Sequence, residues 1–329
     1  MSPRRLAINL YQLARKARFD VDALRVSNVE SGLWLDEEVY DAVNTAVDRA
    51  YKILRLAESD IVTTTVESDD ATIDKGTEVY NPSSLRLADA TSDYTLPPDF
   101  VRVVSIRCIT AGFEGIKFFP ALSRERRYID ARNIPDSDLI SARDSEHNFY
   151  YTVIGARTLR ITPIPQDTID IELIYQYRPR RLLVYTTGTV DVTPTSAAVT
   201  GSSTLWLSAG LQAPSDLIIS ATPDVVDLGT LYPQILSFQT DTTLTLARAW
   251  TGANNDTAAY GIAMIPLLPE EHHAWLAQLA GAIMLRKVNP ELSTQSQAEL
   301  TKQLVEEVMP EVALRQLHES LPVEAFDLP

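Results

Sequence analysis

The stretch Tyr94-Thr95-Leu96-Pro97-Pro98-Asp99-Phe100-Val101-Arg102-Val103-Val104-Ser105-Ile106-Arg107-Cys108 predicts a β-sheet in the first half of the chain. Pro97 and Pro98 mark a rigid turn, because proline has no backbone N–H to donate to a sheet ladder. The residues after the turn are rich in β-branched side chains, which pack well on a pleated surface. The stretch therefore predicts a strand over Phe100–Cys108 that begins directly after a turn.

Neighbouring sequence predicts more strands of the same sheet. Ile61–Val66 is rich in β-branched residues, and Ile169–Tyr177 alternates apolar and polar side chains, as a strand with one solvated face does. Tyr150–Ile154 and Thr158–Thr162 flank Gly155-Ala156-Arg157 and predict a hairpin. Together these segments predict an antiparallel β-sheet region over residues 61–185.

Composition changes at Thr186. The segment 187–262 is rich in Thr, Ser, Ala and Gly and has a single basic residue, Arg248. We interpret it as an inserted all-β domain, a small sandwich or barrel, whose strands are separated by turn-forming Pro, Gly, Asp and Asn. The predicted strands are Gly188–Thr193, Ala197–Thr200, Leu217–Ser220, Gln234–Phe238 and Thr243–Leu246.

Helical patterns lie at both ends of the chain. Apolar residues recur at helical spacing and predict helices over residues 3–18, 36–57, 269–288 and 293–320. Asp36 and Ser293 are the expected N-caps, and Pro310 is expected to interrupt the last helix. Each helix has an apolar stripe that must be buried, so the terminal helices are predicted to pack together.

The predicted fold class is therefore α+β, with a helical bundle from the N- and C-terminal helices packed with an antiparallel β-sheet region. Residues 1–186 and 263–320 would form the main domain, and 187–262 the inserted β-domain. Residues 321–329 contain two prolines and no periodicity, and they predict an extended tail. A chain of 329 residues exceeds the roughly 250–300 that one hydrophobic core supports, in agreement with a second unit.

Composition also limits the function. The net charge of −15 argues against a protein that binds nucleic acid tightly. It is compatible with a protein along which DNA moves without being bound. The single cysteine, Cys108, excludes an intrachain disulfide and is interpreted as a buried strand thiol. Neither a membrane-spanning run nor a signal peptide is recognisable in the sequence, so synthesis in a cytoplasm without secretion is expected.

Catalytic motifs are missing from the sequence. It contains no glycine-rich phosphate loop, no Gly-x-Ser-x-Gly elbow and no His-Glu-x-x-His helix. His272 and His273 are adjacent and would point about 100° apart on a helix, while Glu270 and Glu271 are explained by the helix dipole. No buried acid is expected. We therefore predict no catalytic, cofactor-binding or metal-binding residue.

Four arginines form a basic cluster: Arg124, Arg126, Arg127 and Arg132. They are interleaved with Tyr128 and could face DNA phosphate. A solvated or subunit-bridging face is the favoured interpretation, because arginine is well suited to interfacial ion pairs.

Four segments, in order, resemble the adaptor or head-to-tail connector proteins of tailed bacteriophages, of the tail tubular or tail accessory type. Trp34–Asn44 resembles the family's N-terminal helix with its apolar-Asn pair, and Tyr94–Val103 resembles its aromatic-x-Leu-Pro-x-Asp-Phe turn. Residues 159–179 are similar to its paired strands, and residues 265–276 to its proline-rich entry into the C-terminal helix. Segment 187–262 departs from the minimal family plan and is similar to a β-module inserted in various phage structural proteins.

The resemblance implies a homo-oligomeric ring, typically of twelve copies, at the head–tail junction of the virion. Its partners would be the portal protein, the tail nozzle, tube or neck protein and, through 187–262, tail fibres. Double-stranded DNA would pass through an acidic lumen without specific binding, and the chain would be made in the host bacterial cytoplasm. The C-terminal tail would bind the portal through Leu321, Val323, Phe326 and Leu328.

Two other functions stay open. A tail-fibre or receptor-binding adaptor would use the inserted β-domain as its recognition module. An enzyme, such as a cell-wall hydrolase acting during entry, is the third alternative.

Overall fold

The chain has mixed α/β structure and folds into two compact units: residues 62–178 form one, and residues 1–61 with 179–329 form the other. The computed structural model describes residues 9–23, 34–56, 62–71, 73–74, 79–88, 91–113, 115–121, 148–165, 167–220 and 232–320, the last of them (307–320) by their backbone alone. Within these ranges it contains four α-helices and two large sheets.

A seven-stranded sheet dominates the unit 62–178, in the order β1-β9-β5-β6-β7-β8-β4, and β2 pairs with β3 beside it. The predicted strand Phe100–Cys108 is confirmed, as is the hairpin of β7 and β8, where Gly155 has a φ of +62°. The strands are β1 Thr63–Glu67, β2 Ile73–Asp74, β3 Val79–Tyr80, β4 Asp93–Thr95, β5 Phe100–Cys108, β6 Lys117–Pro120, β7 Asn148–Ile154, β8 Thr158–Thr162 and β9 Ile171–Tyr177.

One strand pair corrects the sequence prediction of an antiparallel sheet. Strands β6 and β7 run parallel, with Lys117 opposite Asn148. Parallel neighbours need a crossover longer than a hairpin turn. The residues between the two strands include 122–147, which lie outside the described part of the chain.

The Leu-Pro-Pro-Asp-Phe turn is held from two sides. The Tyr175 hydroxyl on β9 donates to Asp99 Oδ1 at 2.8 Å, and the Leu96 N–H donates to the carbonyl of Arg157 at 2.8 Å. Burial, followed by the nearby Asp99 carboxylate, raises the pKa of Tyr175 well above its usual range, so this hydroxyl keeps its proton. The turn therefore fixes the start of β5 against both β9 and the β7–β8 hairpin.

An eight-stranded antiparallel sheet forms the β part of the other unit, in the order β10-β17-β13-β14-β15-β12-β11-β16. Strands β16 and β17 lie towards opposite ends of this order, although only Ala259 separates them in the chain, so the sheet curves into a half-barrel. The strands are β10 Val184–Tyr185, β11 Thr189–Val192, β12 Ala198–Ser202, β13 Ser215–Ile219, β14 Gln234–Phe238, β15 Thr243–Leu246, β16 Asn255–Ala258 and β17 Tyr260–Met264.

Strands β11 to β15 confirm the five strands predicted for this segment, whereas β10, β16 and β17 were not predicted. Trp206 fills the interior and is fully buried. Its Nε1 donates to the Tyr260 hydroxyl at 2.8 Å, and that hydroxyl donates to the carbonyl of Thr187 at 2.7 Å. Buried aliphatic side chains surround it: Val190, Val192, Val199, Leu217, Ile235, Leu244, Leu246 and Ile262.

The helices are α1 Leu10–Ala23, α2 Asp36–Leu56, α3 His273–Met284 and α4 Pro290–Ser320. The helix predicted over 3–18 begins at Leu10 and continues beyond residue 18; residues 3–8 lie outside the described residues. The prediction for 269–288 corresponds to α3 flanked by short 3-10 turns at Glu270–His272 and Leu285–Lys287.

Helix α4 corrects two expectations. It starts at Pro290 because the Asn289 side chain caps it, accepting from the Leu292 N–H at 3.1 Å, and proline suits a first helical position. Ser293, the expected cap, instead lies inside the helix, where its buried hydroxyl donates to the carbonyl of Ala282 at 2.7 Å. The helix also runs through Pro310, which removes one backbone hydrogen bond without ending it.

Helix α3 is the most buried helix that the structure describes. Nearly every side of it is buried, and it contacts α1, α2 and α4. Trp275 Nε1 donates to the carbonyl of Leu300 in α4 at 2.7 Å. The first and last parts of the chain are therefore joined around this segment.

The boundaries of the compact units differ from the domain boundaries that the change in composition predicts. The half-barrel belongs to the same unit as the four helices, and the dividing lines fall at 61/62 and 178/179. That residues 187–262 form a separable inserted domain stays a prediction.

Trp206→Ala is expected to lower the free energy of unfolding by about 3–5 kcal/mol, because it opens a cavity in the half-barrel and leaves the Tyr260 hydroxyl without one partner. The matched control is Leu205→Ala, since Leu205 is 57% exposed, and it should change stability by less than about 0.5 kcal/mol. Chemical denaturation measures both. Equal effects of the two substitutions would contradict the assigned interior.

Candidate interaction site

Helix α1 begins with a reciprocal cap. The Gln12 N–H donates to Asn9 Oδ1 at 3.1 Å, and the Asn9 N–H donates to Gln12 Oε1 at 3.2 Å. Such a pair satisfies two backbone donors that a helix start otherwise leaves without partners. It also fixes the Asn9 side chain, whose Nδ2 donates to Asp216 Oδ2 on β13 at 2.7 Å.

Asp216 is a buried acid, and it corrects the expectation that the chain has none. Asp216 is only 6% exposed to solvent. Burial raises the pKa of Asp216 to about 7, and the hydrogen bond from Asn9 opposes that rise. The carboxyl therefore links α1 to the half-barrel and changes charge near neutral pH.

A cleft of about 700 Å³ lies beside this link, within the unit that contains the helices and the half-barrel. Its walls come from the start of α1, the first turns of α2, the strand leading into β10 and the bend before β17. The lining residues are Leu10, Tyr11, Asp36, Glu37, Tyr40, Asp41, Asn44, Arg181, Leu182, Leu183, Val184, Thr186, Gly188, Ala259 and Tyr260.

The cleft has an apolar floor and a charged rim. The rings of Tyr11 and Tyr40 meet edge to face, with centroids 6.2 Å apart. On the rim, Arg181 pairs with Asp41 at 2.5 Å, and Arg18 pairs with Asp36. These side chains are exposed, so the ion pairs add little stability and leave the rim accessible.

Asn44 holds one wall of the cleft in place. Its Oδ1 accepts from the Leu182 N–H at 2.7 Å, and its Nδ2 donates to the Leu182 carbonyl at 3.2 Å. The sequence offered a signal for this residue, the apolar-Asn pair of α2, but gave no indication of its partner. Asp216 and Asn9 had no signal, because their contact spans 207 positions.

The predicted site residues fall outside the described part of the chain. This holds for the basic cluster Arg124, Arg126, Arg127 and Arg132 and for the tail residues Leu321, Val323, Phe326 and Leu328. Their roles stay predictions.

The adjacent histidines are buried. His273 Nε2 lies 2.9 Å from the carbonyl of Leu268, and burial lowers the pKa of His273. In the described ranges, no three His, Cys, Asp or Glu side chains are grouped so that they could hold a metal ion. Those ranges also contain no helix long and apolar enough to span a membrane.

The fold and this site define a mixed α/β protein with a cleft between its helices and its half-barrel. The chain belongs to the SU10 adaptor protein family, whose sequence profile matches residues 8–211. Membership of an adaptor family indicates a structural role in a phage particle. No curated protein sequence matches the chain.

The matched range contains three of the four resembling segments; the fourth, residues 265–276, lies beyond it. The match also continues through β11, β12 and Trp206. Segment 187–262 was expected to depart from the minimal family plan, and the matched range includes its first part, residues 187–211.

Asp216→Asn should remove a pH dependence of stability. Because the native pKa of about 7 exceeds the ordinary 3.8, the native state binds the proton more tightly, so stability falls as pH rises from about 4 to 7. Over this pH range the free energy of unfolding falls by up to about 4 kcal/mol. Measured at pH 5 and pH 8, the free energy of unfolding of D216N relative to that of wild type should be higher at pH 8 than at pH 5, by roughly 2–3 kcal/mol.

Asp191→Asn is the control, since it makes the same change at an exposed position on β11 and should leave the pH dependence of stability as in wild type. A wild-type chain that gains stability between pH 5 and pH 8 relative to D216N would contradict the assignment.

Proposed function

We propose that the protein forms an oligomeric ring, a dodecamer, that joins the portal vertex of the phage head to the tail or neck and lines the DNA channel. The observation that carries this proposal is the family match, which includes residues of both compact units, from α1 to the first part of the half-barrel. The partners would be the portal protein on one side and a tail nozzle, tube or neck protein on the other.

The charge of the chain supports a channel role. A net charge of −15 in every copy gives a ring that repels duplex DNA weakly, so that DNA passes during ejection without being held. The basic cluster Arg124–Arg132 would then bridge neighbouring subunits rather than face the lumen, since arginine forms strong interfacial ion pairs.

The helices supply the portal-facing part of the proposal. The four helices would form the bundle that meets the portal, and α4 ends at Ser320, where the predicted tail begins. Leu321, Val323, Phe326 and Leu328 would anchor that tail in the portal by burying apolar surface.

Electron microscopy of the purified protein, alone and mixed with portal, tests the ring. We expect twelve-fold rings that stack on the portal, with acidic side chains on the inner wall. A stable monomer that never associates with portal, or a ring with an inner wall of mainly arginine, would refute the proposal.

The tail anchor has its own test. Phe326→Ala combined with Leu328→Ala should weaken portal binding at least about tenfold, because two buried apolar side chains contribute several kcal/mol together. Glu324→Ala combined with Asp327→Ala is the matched control in the same tail and should bind nearly as well as wild type. Deleting residues 321–329 without loss of binding in a co-sedimentation assay would exclude the tether.

A tail-fibre or receptor-binding adaptor is the second candidate. The observation that favours it is the outer face of the half-barrel, where Leu236 is 62% exposed beside the polar side chains of Ser237, Gln239 and Thr245. Leu236→Arg should then abolish fibre capture while leaving portal binding unchanged. If the substitution weakens neither fibre capture nor portal binding, this alternative is excluded.

A further inference from the structure

The strand that borders the cleft has an open edge. Strand β10 is the last strand of its sheet and pairs only with β17 among the described strands. The carbonyl of Leu183 accepts from the Met264 N–H at 3.1 Å, and that of Thr187 accepts from the Tyr260 hydroxyl at 2.7 Å. The odd-numbered residues therefore turn their polar backbone groups toward β17.

Because the backbone groups of a strand alternate in direction, the even-numbered residues turn theirs away from β17. Leu182 demonstrates this: both its N–H and its carbonyl bind the Asn44 side chain, which lines the cleft. The amide of Asn44 thus occupies the position that a neighbouring strand would take.

Val184 and Thr186 continue the same edge and also line the cleft. Within the described residues, the backbones of Val184 and Thr186 form no hydrogen bond outside the pairing of β10 with β17. Two residues at alternate positions present four backbone groups, which is the template that an added strand uses. Gly188 ends the edge, with a φ of +87°.

The wall facing this edge is acidic. Asp36, Glu37 and Asp41 project from the first turns of α2, and Arg181 is the only lining residue of opposite charge among those described. Asp36 already pairs with Arg18 and Asp41 with Arg181, so an extended segment laid along β10 would meet Glu37 directly and would compete for the other two carboxylates. Basic residues at alternate positions fit this wall, since they would point to it together.

We propose that the cleft is a strand-addition site, in which an extended basic segment of a neighbouring virion protein pairs with Val184–Thr186 and places its cationic side chains against Asp36, Glu37 and Asp41. The proposal rests on the proposed function in one respect: that function makes a neighbouring virion protein the source of the basic segment. The backbone supplies affinity, and the carboxylates select for basic sequence.

The test uses the full-length protein and a fluorescein-labelled synthetic peptide of alternating arginine and valine. Fluorescence anisotropy should show saturable binding that weakens with salt. A peptide with glutamate in place of arginine, and an arginine peptide N-methylated at alternate residues, should each bind at least about tenfold more weakly. Hydrogen exchange should show protection of the Val184 and Thr186 amides on binding.

Two variants locate the site. Glu37→Lys should weaken binding about tenfold, whereas Asp69→Lys, the same charge change at an exposed turn of the other unit, should have little effect. Val184→Pro removes one donor from the open edge and keeps the bonds of Leu183 and Tyr185 to β17, so it should bind several-fold more weakly while its unfolding temperature confirms that it folds.

Equal binding of the arginine and glutamate peptides, or binding without protection at Val184 and Thr186, would overturn the proposal. So would occupation of the edge by a second copy of the chain, seen as the same amide protection on raising the protein concentration without peptide. None of these measurements depends on ring formation or portal binding, so a failure here is distinct from a failure of the proposed function.

Discussion

The need to bury helix α3 governs the unit formed by the two ends of the chain. From His273 to Met284 only Gln278 is exposed, and a helix that is apolar on almost every side must be surrounded by other elements. Helices α1, α2 and α4 supply these surroundings with one apolar face each. Their polar faces remain outside, where the rim of the cleft forms. The acidic start of α2 is therefore oriented by the packing of its opposite face.

Much of the fold could be predicted from the sequence because its strands are strongly patterned. Phe100–Cys108 and the five strands from Thr189 to Leu246 have β-branched residues bounded by turn residues, and these features are local. Strand β16 was missed because Asn255-Asp256-Thr257-Ala258 is polar and small, and it becomes a strand only by pairing with β11. The start of α4 was misplaced because Asn289, rather than the expected Ser293, provides its cap. No cap for α1 was predicted from the sequence, and Asn9 supplies it.

The candidate site could not be predicted, because four separate segments build it. Helix positions 10–11 and 36–44 meet residues 181–188 and 259–260 only after the half-barrel and the helices have folded. Asp216 illustrates the same limit: Ser215-Asp216-Leu217-Ile218 looks like the polar start of an apolar strand. Its burial depends on Asn9, and the capping pair with Gln12 orients the amide that makes the burial of a carboxyl tolerable.

The half-barrel precedes α3 in the chain. Its first strand pairs with its last, since Val184 lies opposite Ala263. Strand β13 also binds the cap of α1 through Asp216. Removing residues 187–262 would therefore leave the Asn9 amide without that acceptor and would remove one end wall of the cleft. The bond between Asn9 and Asp216 is therefore one of the contacts that place the helices and this sheet in one compact unit.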